Sequence, residues 1–214
     1  MRIVLATTNE HKVHELRTIL ASLVADLDLE IVSTADFKDL PEVAETEVTF
    51  VGNATLKARA VAEATGLPAL ADDSGLTVDV LGGAPGVFSA RWSGSHAGPD
   101  AARGARDRAN LELLLEQVAD VPAEYRGAAF TCAAVLVLPD GRTAYRLGEV
   151  RGRLAREPKG SNGFGYDPVF VPDDQPEGQR RHLAEYSDAE KNAISHRGRA
   201  FRALEPAIRE LLAP

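Results

Sequence analysis

The sequence has little cysteine and no long apolar run. It holds one cysteine, Cys132, among 214 residues, so a disulfide within the chain is excluded. Cys132 lies in the apolar stretch 128–138, which is typical of a buried and unreactive thiol. No apolar stretch reaches the ~20 residues that span a bilayer, and the first residues turn polar too soon for a signal peptide. We therefore expect a cytoplasmic protein without a membrane partner.

Basic charge is scarce as well. The chain has 24 Lys and Arg against 32 Asp and Glu, which gives a net charge of -8. Proteins that bind duplex nucleic acid usually carry a basic face, so we expect no nucleic-acid partner, although a local basic pocket could still take a small anion. The length allows one sizeable core, or at most two small lobes.

Hydrophobic periodicity predicts strands alternating with helices. Strands are predicted at residues 2–6, 29–33, 69–72, 127–139 and 142–154. Helices are predicted at residues 10–23, 50–66, roughly 101–118, and 188–212, with Thr49 and Gly66 capping the second. The strand, helix, strand opening favours a parallel pair, and Asp140-Gly141 favours a hairpin. The pattern therefore predicts an α/β fold with a mixed sheet.

Two adjacent carboxylates, Asp72 and Asp73, stand where the pattern predicts a buried strand. Successive strand residues face opposite sides, and ligands bind at the carboxyl ends of strands in open α/β sheets. We therefore expect the end of this strand to deliver one Asp to a site, unless an Asp caps a turn at Ser74-Gly75. Glu45, in the acidic segment 42–47, could supply a second carboxylate for Mg²⁺.

Two lysines could hold phosphate. The segment TTNEHK (residues 7–12) follows the first strand and opens a helix, so free backbone N–H groups and the helix dipole favour an anion beside Lys12. The alternative is a well-capped helix with a surface lysine. Lys57 shares a helix face with Asn53 at i, i+4 spacing, and it could equally be a solvated lysine.

Two later segments could read a base. Glycines surround Phe164, Tyr166 and Asp167, an arrangement that suits a stacked, hydrogen-bonded base or, alternatively, a glycine-rich hairpin with an aromatic plug. The run Ser195-His196-Arg197 is a compact cluster of donors suited to carbonyl oxygens and phosphates.

Together these segments resemble one family, the inosine triphosphate pyrophosphatases, also known as the Ham1-like pyrophosphatases of noncanonical purine nucleotides. The matching segments are LATTNEHK, ETEVTFVGNATLKA, LADDSGLTVDVLGGAPGVFSARWSG, GFGYDPVF and EKNAISHRG. They occur in the family's order and span nearly the whole chain. The combination of ADDSGL, GFGYDP and SHRG is very specific.

The resemblance implies a single domain over residues 1–214, with two α/β lobes around a long central mixed sheet and an active-site cleft. It also implies a homodimer. The implied reaction is Mg²⁺-dependent hydrolysis of ITP, dITP and XTP to the monophosphate and pyrophosphate, which removes these nucleotides from the nucleotide pool.

The resemblance further implies residue roles. Asp73 would be the catalytic base and a metal ligand, and Glu45 the other metal carboxylate. The implied substrate contacts are Thr7, Thr8, Asn9, Glu10, His11, Lys12, Lys57, Ser74, Phe164, Gly165, Tyr166, Asp167, Lys191, His196 and Arg197. The family usually has glycine at position 8, so Thr8 would be strained if this position required a positive φ.

Other hypotheses fit less of the sequence. A Maf-type pyrophosphatase would act on other nucleotides, and the GFGYDP and SHRG segments argue against it. A nucleotide-binding protein without catalysis would not need Glu45, Asp73 and Lys12 together. A phosphatase with an aspartyl nucleophile usually has a D-x-D spacing, whereas Asp72 and Asp73 are adjacent.

Overall fold

Helices and strands alternate along the chain in the computed structural model, which describes residues 1–38, 40–41, 43–96, 98, 101–176 and 178–213. The strands are β1 (Arg2–Leu5), β2 (Glu30–Ser33), β3 (Ala69–Val78), β4 (Gly127–Val137), β5 (Thr143–Leu154) and β6 (Phe170–Pro172). The helices are α1 (Glu10–Ile19), α2 (Ala21–Leu27), α3 (Phe50–Thr65), α4 (Arg103–Gln117), α5 (Asp188–Ile194) and α6 (His196–Leu212). Among the described residues, no helix is long and apolar enough to cross a membrane.

The strands form one sheet in the order β2-β1-β3-β4-β5-β6. β1 pairs in parallel with both β2 and β3, whereas β5 and β6 are antiparallel. The predicted α/β class with a mixed sheet is therefore confirmed.

The chain divides into two compact units. The first comprises Met1–Asp73, Cys132–Gly148 and His196–Pro214, and the second comprises Ser74–Thr131 and Glu149–Ser195. The chain passes from one unit to the other within three long strands. The boundaries are Asp73/Ser74 in β3, Thr131/Cys132 in β4 and Gly148/Glu149 in β5. That the units make up a single domain around a cleft stays a prediction.

In the first unit, alternate strand residues belong to two different apolar clusters. Ile3 and Leu5 belong to a cluster with side chains of α1, α2 and α6, which we call the α6 face. Val4 belongs to a cluster with side chains of α3, which we call the α3 face. The same alternation continues in β4, where Cys132 is fully buried on the α6 face. The expectation of a buried thiol is confirmed.

The second unit has a core of its own. Leu111 and Leu114 of α4 are buried there with residues of β4, β5 and the segment that leads into β6. The rings of Phe130 and Phe170 meet edge to face, with centroids 4.8 Å apart. Leu111 and Leu114 anchor α4 in this core.

Two predicted helices are each broken in the structure. The prediction of one helix over residues 10–23 is wrong, because α1 ends at Ile19 and α2 begins at Ala21. The prediction of one helix over residues 188–212 is also wrong. Ser195 is extended, with φ -62° and ψ 149°, and it separates α5 from α6. Apolar residues keep helical spacing across both breaks, so periodicity alone did not reveal them. The predicted caps of α3 are confirmed, and α5 begins with a capping box of Ser187 and Glu190.

β5 approaches the start of α6 closely at Gly148. A Cβ added there would collide with the backbone of His196 and Ala200. Because backbone cannot easily yield, we expect Gly148→Ala to lower the free energy of unfolding by about 2 kcal/mol. Urea denaturation tests this, with Gly104→Ala in α4 as the control, since open space surrounds that position. Equal stability of the two variants would contradict the close approach.

Candidate active site

The paired carboxylates lie inside β3, not at its end. The predicted strand stopped at Asp72, but β3 continues to Val78. The predicted strand end is therefore wrong, and so is the alternative of a turn at Ser74-Gly75. The last residue pair between β1 and β3 is Leu5 with Leu70. Both carboxylates therefore lie beyond the carboxyl end of the neighbouring strand.

Asp72 and Asp73 face opposite sides of the sheet, as the strand period predicted. Leu70 belongs to the α6 face, and Asp72 accordingly contacts Lys12 and Arg197. Ala71 belongs to the α3 face, and Asp73 contacts Asn53 and Lys57 of α3. Adjacent carboxylates thus pair with different side chains, although the charge of Lys57 also lowers the pKa of Asp72.

Asp73 lies beside a fixed group of polar side chains. Asn53 Nδ2 donates to Asp73 Oδ2 over 3.2 Å, and Lys57 Nζ lies 3.5 Å from Asp73 Oδ1. Lys57 Nζ is also 2.8 Å from Glu45 Oε1. The expected shared face of Asn53 and Lys57 is confirmed, and it is the face directed at Asp73. Asn53 Oδ1 in turn accepts from the backbone N–H of Glu47, which fastens the acidic segment to α3.

Asp73 binds a proton more readily than an ordinary aspartate. Burial raises its pKa, and the nearby carboxylate of Glu45 raises it too, while the charge of Lys57 only partly opposes them. A carboxylate with a raised pKa is better matched to accepting a proton near neutral pH. The raised pKa favours the predicted role of Asp73 as catalytic base, which stays a prediction.

Glu45 and Asp73 also suit a divalent cation. Both contact the one ammonium of Lys57, so their oxygens already converge on a positive charge. Within the described ranges, no group of three His, Cys, Asp or Glu could hold a metal ion. Two carboxylates fit Mg²⁺, which usually keeps several waters and takes further oxygens from substrate phosphates.

Asp72 is the centre of a buried ionic network. Its Oδ2 accepts from Lys12 Nζ at 3.0 Å and from Arg197 Nε and Nη2 at 3.2 and 3.1 Å. Arg197 Nη1 also donates to Glu15 of α1. Burial alone would raise the pKa of Asp72, but Lys12 and Arg197 hold it well below its ordinary value. This network ties α1, β3 and α6 together.

The donors of Arg197 are turned toward carboxylates. Its side chain is 2% exposed, and the sequence did not predict its pairing with Asp72 and Glu15. The i, i+3 spacing of Lys12 and Glu15 on α1 was the one local signal for this cluster. That Arg197 contacts the nucleotide stays a prediction, as it does for His196, which precedes it at the start of α6 and is also buried.

The segment from Thr7 to Lys12 joins β1 to α1. Thr7 Oγ1 accepts from the backbone N–H of Asn9 over 3.2 Å, and the helix starts at Glu10. Thr8 is unstrained, because among the described residues Asp28 alone has a positive φ without being glycine. A cavity of about 390 Å³ adjoins this segment and is lined in part by Thr7, Thr8 and Glu10. The side chain of His11 lies outside the described part of the chain.

In the second unit, the glycine-rich segment holds a half-buried Phe164. Asp167 Oδ2 accepts from the backbone N–H of Phe164 and from Lys191 Nζ, both over 2.8 Å. Lys191 Nζ lies 4.8 Å from the centroid of the Phe164 ring. Gly163 and Gly165 have positive φ, which glycine adopts without strain.

Tyr166 is the plug of this segment. Its ring is buried, and its hydroxyl donates to the backbone carbonyl of Ser89 over 2.9 Å. Tyr166 is therefore the aromatic plug that one of the two hypotheses predicted, and stacking of a base on the half-buried Phe164 stays a prediction. Substrate contacts by Tyr166, Gly165 and Asp167 stay predictions.

The predicted site residues thus form two sets. The first unit brings Glu45, Lys57 and Asp73 together on the α3 face, and Lys12 with Arg197 around Asp72 on the α6 face. The second unit brings together Phe164, Asp167 and Lys191. Ser74 follows Asp73 directly in β3.

Comparison with known proteins gives one consistent result. A family model described as the Ham1 family matches residues 3–207. A dITP/XTP pyrophosphatase of Streptomyces avermitilis is 57% identical over 211 residues, covering 99% of this chain and 98% of the relative. A dITP/XTP pyrophosphatase of Frankia alni is 56% identical over 212 residues, covering 99% of each chain.

Solved structures agree with the sequence relatives. The Ham1 protein of Staphylococcus aureus superposes with a TM-score of 0.80 at 34% identity, over 99% of this chain and all of the other. A structure described as a nucleoside-triphosphatase, dITP/XTP pyrophosphatase, from Mycobacterium abscessus gives 0.75 at 47% identity, over 98% of this chain and all of the other.

Proposed function

The chain belongs to the Ham1 family, and from this membership we propose that it hydrolyses dITP, XTP and ITP to the nucleoside monophosphate and pyrophosphate. Such a reaction removes noncanonical purine nucleotides from the nucleotide pool. The observation that carries the proposal is Asp73, a carboxylate of raised pKa held beside Glu45 and Lys57.

Asp73 is the base in this reaction. Water attacks the α-phosphorus and gives its proton to the Asp73 carboxylate as the new oxygen–phosphorus bond forms. The bond from the α-phosphorus to the bridging oxygen breaks, and its electron pair leaves with pyrophosphate. Asn53 restricts the orientation of Asp73 by donating to its Oδ2.

Lysines and a divalent cation balance the phosphate charge. Lys57 and Lys12 supply ammonium groups, and both are held in place by carboxylates, Glu45 and Asp72 respectively. Glu45 and Asp73 would hold the cation, which we propose to be Mg²⁺. When bound, the cation would neutralise part of the triphosphate charge.

The base is recognised by its oxo group and its flat face. Phe164 offers a half-buried ring for stacking, supported by Asp167 and Lys191. Hypoxanthine and xanthine carry a 6-oxo acceptor where adenine has an amino donor, so a donor of His196 aimed at that oxygen would disfavour adenine. We further propose, from the family resemblance, a homodimer that works in the cytoplasm.

A panel of nucleotides tests this function directly. We expect rapid release of pyrophosphate from XTP, dITP and ITP with Mg²⁺, a kcat/KM for ATP at least about a hundredfold lower, and no release in EDTA. Pyrophosphate and orthophosphate are measured separately, because their ratio identifies the bond that is cut. Orthophosphate as the main product, or equal rates on ATP, would refute the proposal.

A further inference from the structure

We propose that Arg103, in the first turn of α4, is a further substrate contact that covers the outer face of a purine base stacked on Phe164 and favours a base with negative charge. This inference rests on the proposed function, because it takes the ring of Phe164 as the stacking surface.

The ring of Phe164 is accompanied by two cations. The guanidinium carbon of Arg103 lies 5.3 Å from the ring centroid, and Lys191 Nζ lies 4.8 Å from it. Both distances fall within the ~6 Å at which a cation is attracted to an aromatic ring. Two positive groups thus surround the one ring that we assign to the base.

The two cations differ in how firmly they are held. The side chain of Lys191 is 5% exposed, and its ammonium lies 2.8 Å from Asp167. The side chain of Arg103 is 48% exposed, and its contact with Asp107 is 3.9 Å long. Such a weak, exposed pair contributes little. A base that stacks on Phe164 can therefore displace Arg103 from the ring, whereas Lys191 stays in place.

α4 keeps Arg103 within reach of the base. Leu111 and Leu114 anchor the helix in the core of the second unit, to which Tyr166 also belongs. The guanidinium carbon of Arg103 lies 5.3 Å from the centroid of the Phe164 ring, so the start of α4 lies close to the glycine-rich segment. The guanidinium can then settle over the base, which would lie between it and the phenyl ring.

A guanidinium is well suited to this position. It is planar and weakly hydrated, and it stacks on aromatic faces while keeping its charge. Xanthine has oxo groups at C2 and C6 and loses a ring proton more readily than hypoxanthine does. Arg103 should therefore stabilise a bound xanthine more than a bound hypoxanthine, which predicts a preference for XTP over dITP.

Binding of the product nucleotides isolates this contact from catalysis. We would measure the Kd of XMP and IMP by calorimetry, without metal and at mildly alkaline pH, for wild type, Arg103→Ala, Arg103→Lys and Arg106→Ala. Arg106 is exposed on the same helix, so its removal changes the net charge equally. We expect Arg103→Ala to weaken XMP binding about tenfold and IMP binding about threefold. Arg106→Ala should change the Kd of XMP and that of IMP by less than about twofold.

Two further readouts sharpen the test. Arg103→Lys should recover only part of the loss, because an ammonium keeps the charge but cannot stack. With XTP as substrate, Arg103→Ala should raise KM by a larger factor than it lowers kcat.

The outcomes separate this inference from the proposed function. If Arg103→Ala binds both nucleotides as tightly as wild type does, the contact is overturned while the proposed function stands. The same holds if Arg106→Ala loses as much affinity as Arg103→Ala. An equal loss for XMP and IMP would overturn the charge preference. A wild type that releases no pyrophosphate and binds neither nucleotide would refute the proposed function and this inference with it.

Discussion

Asp73→Asn is expected to lower kcat for XTP by about a thousandfold while the protein stays folded. An amide has nearly the shape of the carboxylate, but it cannot take the proton from the attacking water, and the loss of a general base typically costs about 10²–10⁴ in rate. The amide is also a poorer ligand for a divalent cation. The measurement is steady-state pyrophosphate release, with XMP binding and circular dichroism as checks on the site and the fold.

The same substitution should not lower stability. Burial and Glu45 raise the pKa of Asp73, which means that the folded protein holds this charge at a cost near neutral pH. Removing the charge relieves that cost, so activity and stability should move in opposite directions. Asp79→Asn is the matched control, since Asp79 is exposed and pairs with Arg151. Near-normal turnover in Asp73→Asn would remove Asp73 from the role of base.

Local spacing predicted part of this site well. The strand period placed Asp72 and Asp73 on opposite faces, and the i, i+4 spacing put Asn53 and Lys57 on one face of α3; the structure confirms both. Each of these relations depends only on the geometry of one element. The acidic segment indicated Glu45 as a second carboxylate for Mg²⁺, but local spacing could not connect it with Lys57.

Contacts distant in sequence escaped prediction. Arg197 is 125 positions from Asp72, and neither residue's own segment indicates the other. The end of β3 was predicted too early for the same reason. A strand with two charged residues looks interrupted unless the pairing of Asp72 with Lys12 and Arg197 is known. The breaks at Leu20 and Ser195 were missed because buried residues on both sides keep a helical period.

Asp72→Ala is expected to be among the most destabilising substitutions in the chain. Breaking a buried ion pair typically costs about 3–5 kcal/mol, because the remaining charge is left buried without its partner. Here Arg197, whose side chain is 2% exposed, loses Asp72 although it keeps Glu15, and Lys12 loses the same partner. Urea denaturation at neutral pH measures the change. Asp79→Ala, which breaks the exposed pair with Arg151, should cost less than about 1 kcal/mol.

The pH dependence and a double variant distinguish an ionic cause from a packing one. Because the folded pKa of Asp72 lies below its ordinary value of 3.8, its charge stabilises the fold above that pH and progressively less as the pH falls below it. The stability gap between wild type and Asp72→Ala should therefore narrow in acid. Replacing both Asp72 and Arg197 with apolar residues should recover part of the loss, since the buried guanidinium is removed together with its carboxylate. Recovery should stay incomplete, because Lys12 still loses Asp72 and Glu15 still loses Arg197. A gap that is independent of pH and persists in the double variant would mean that Asp72 matters for its packing and not for its charge.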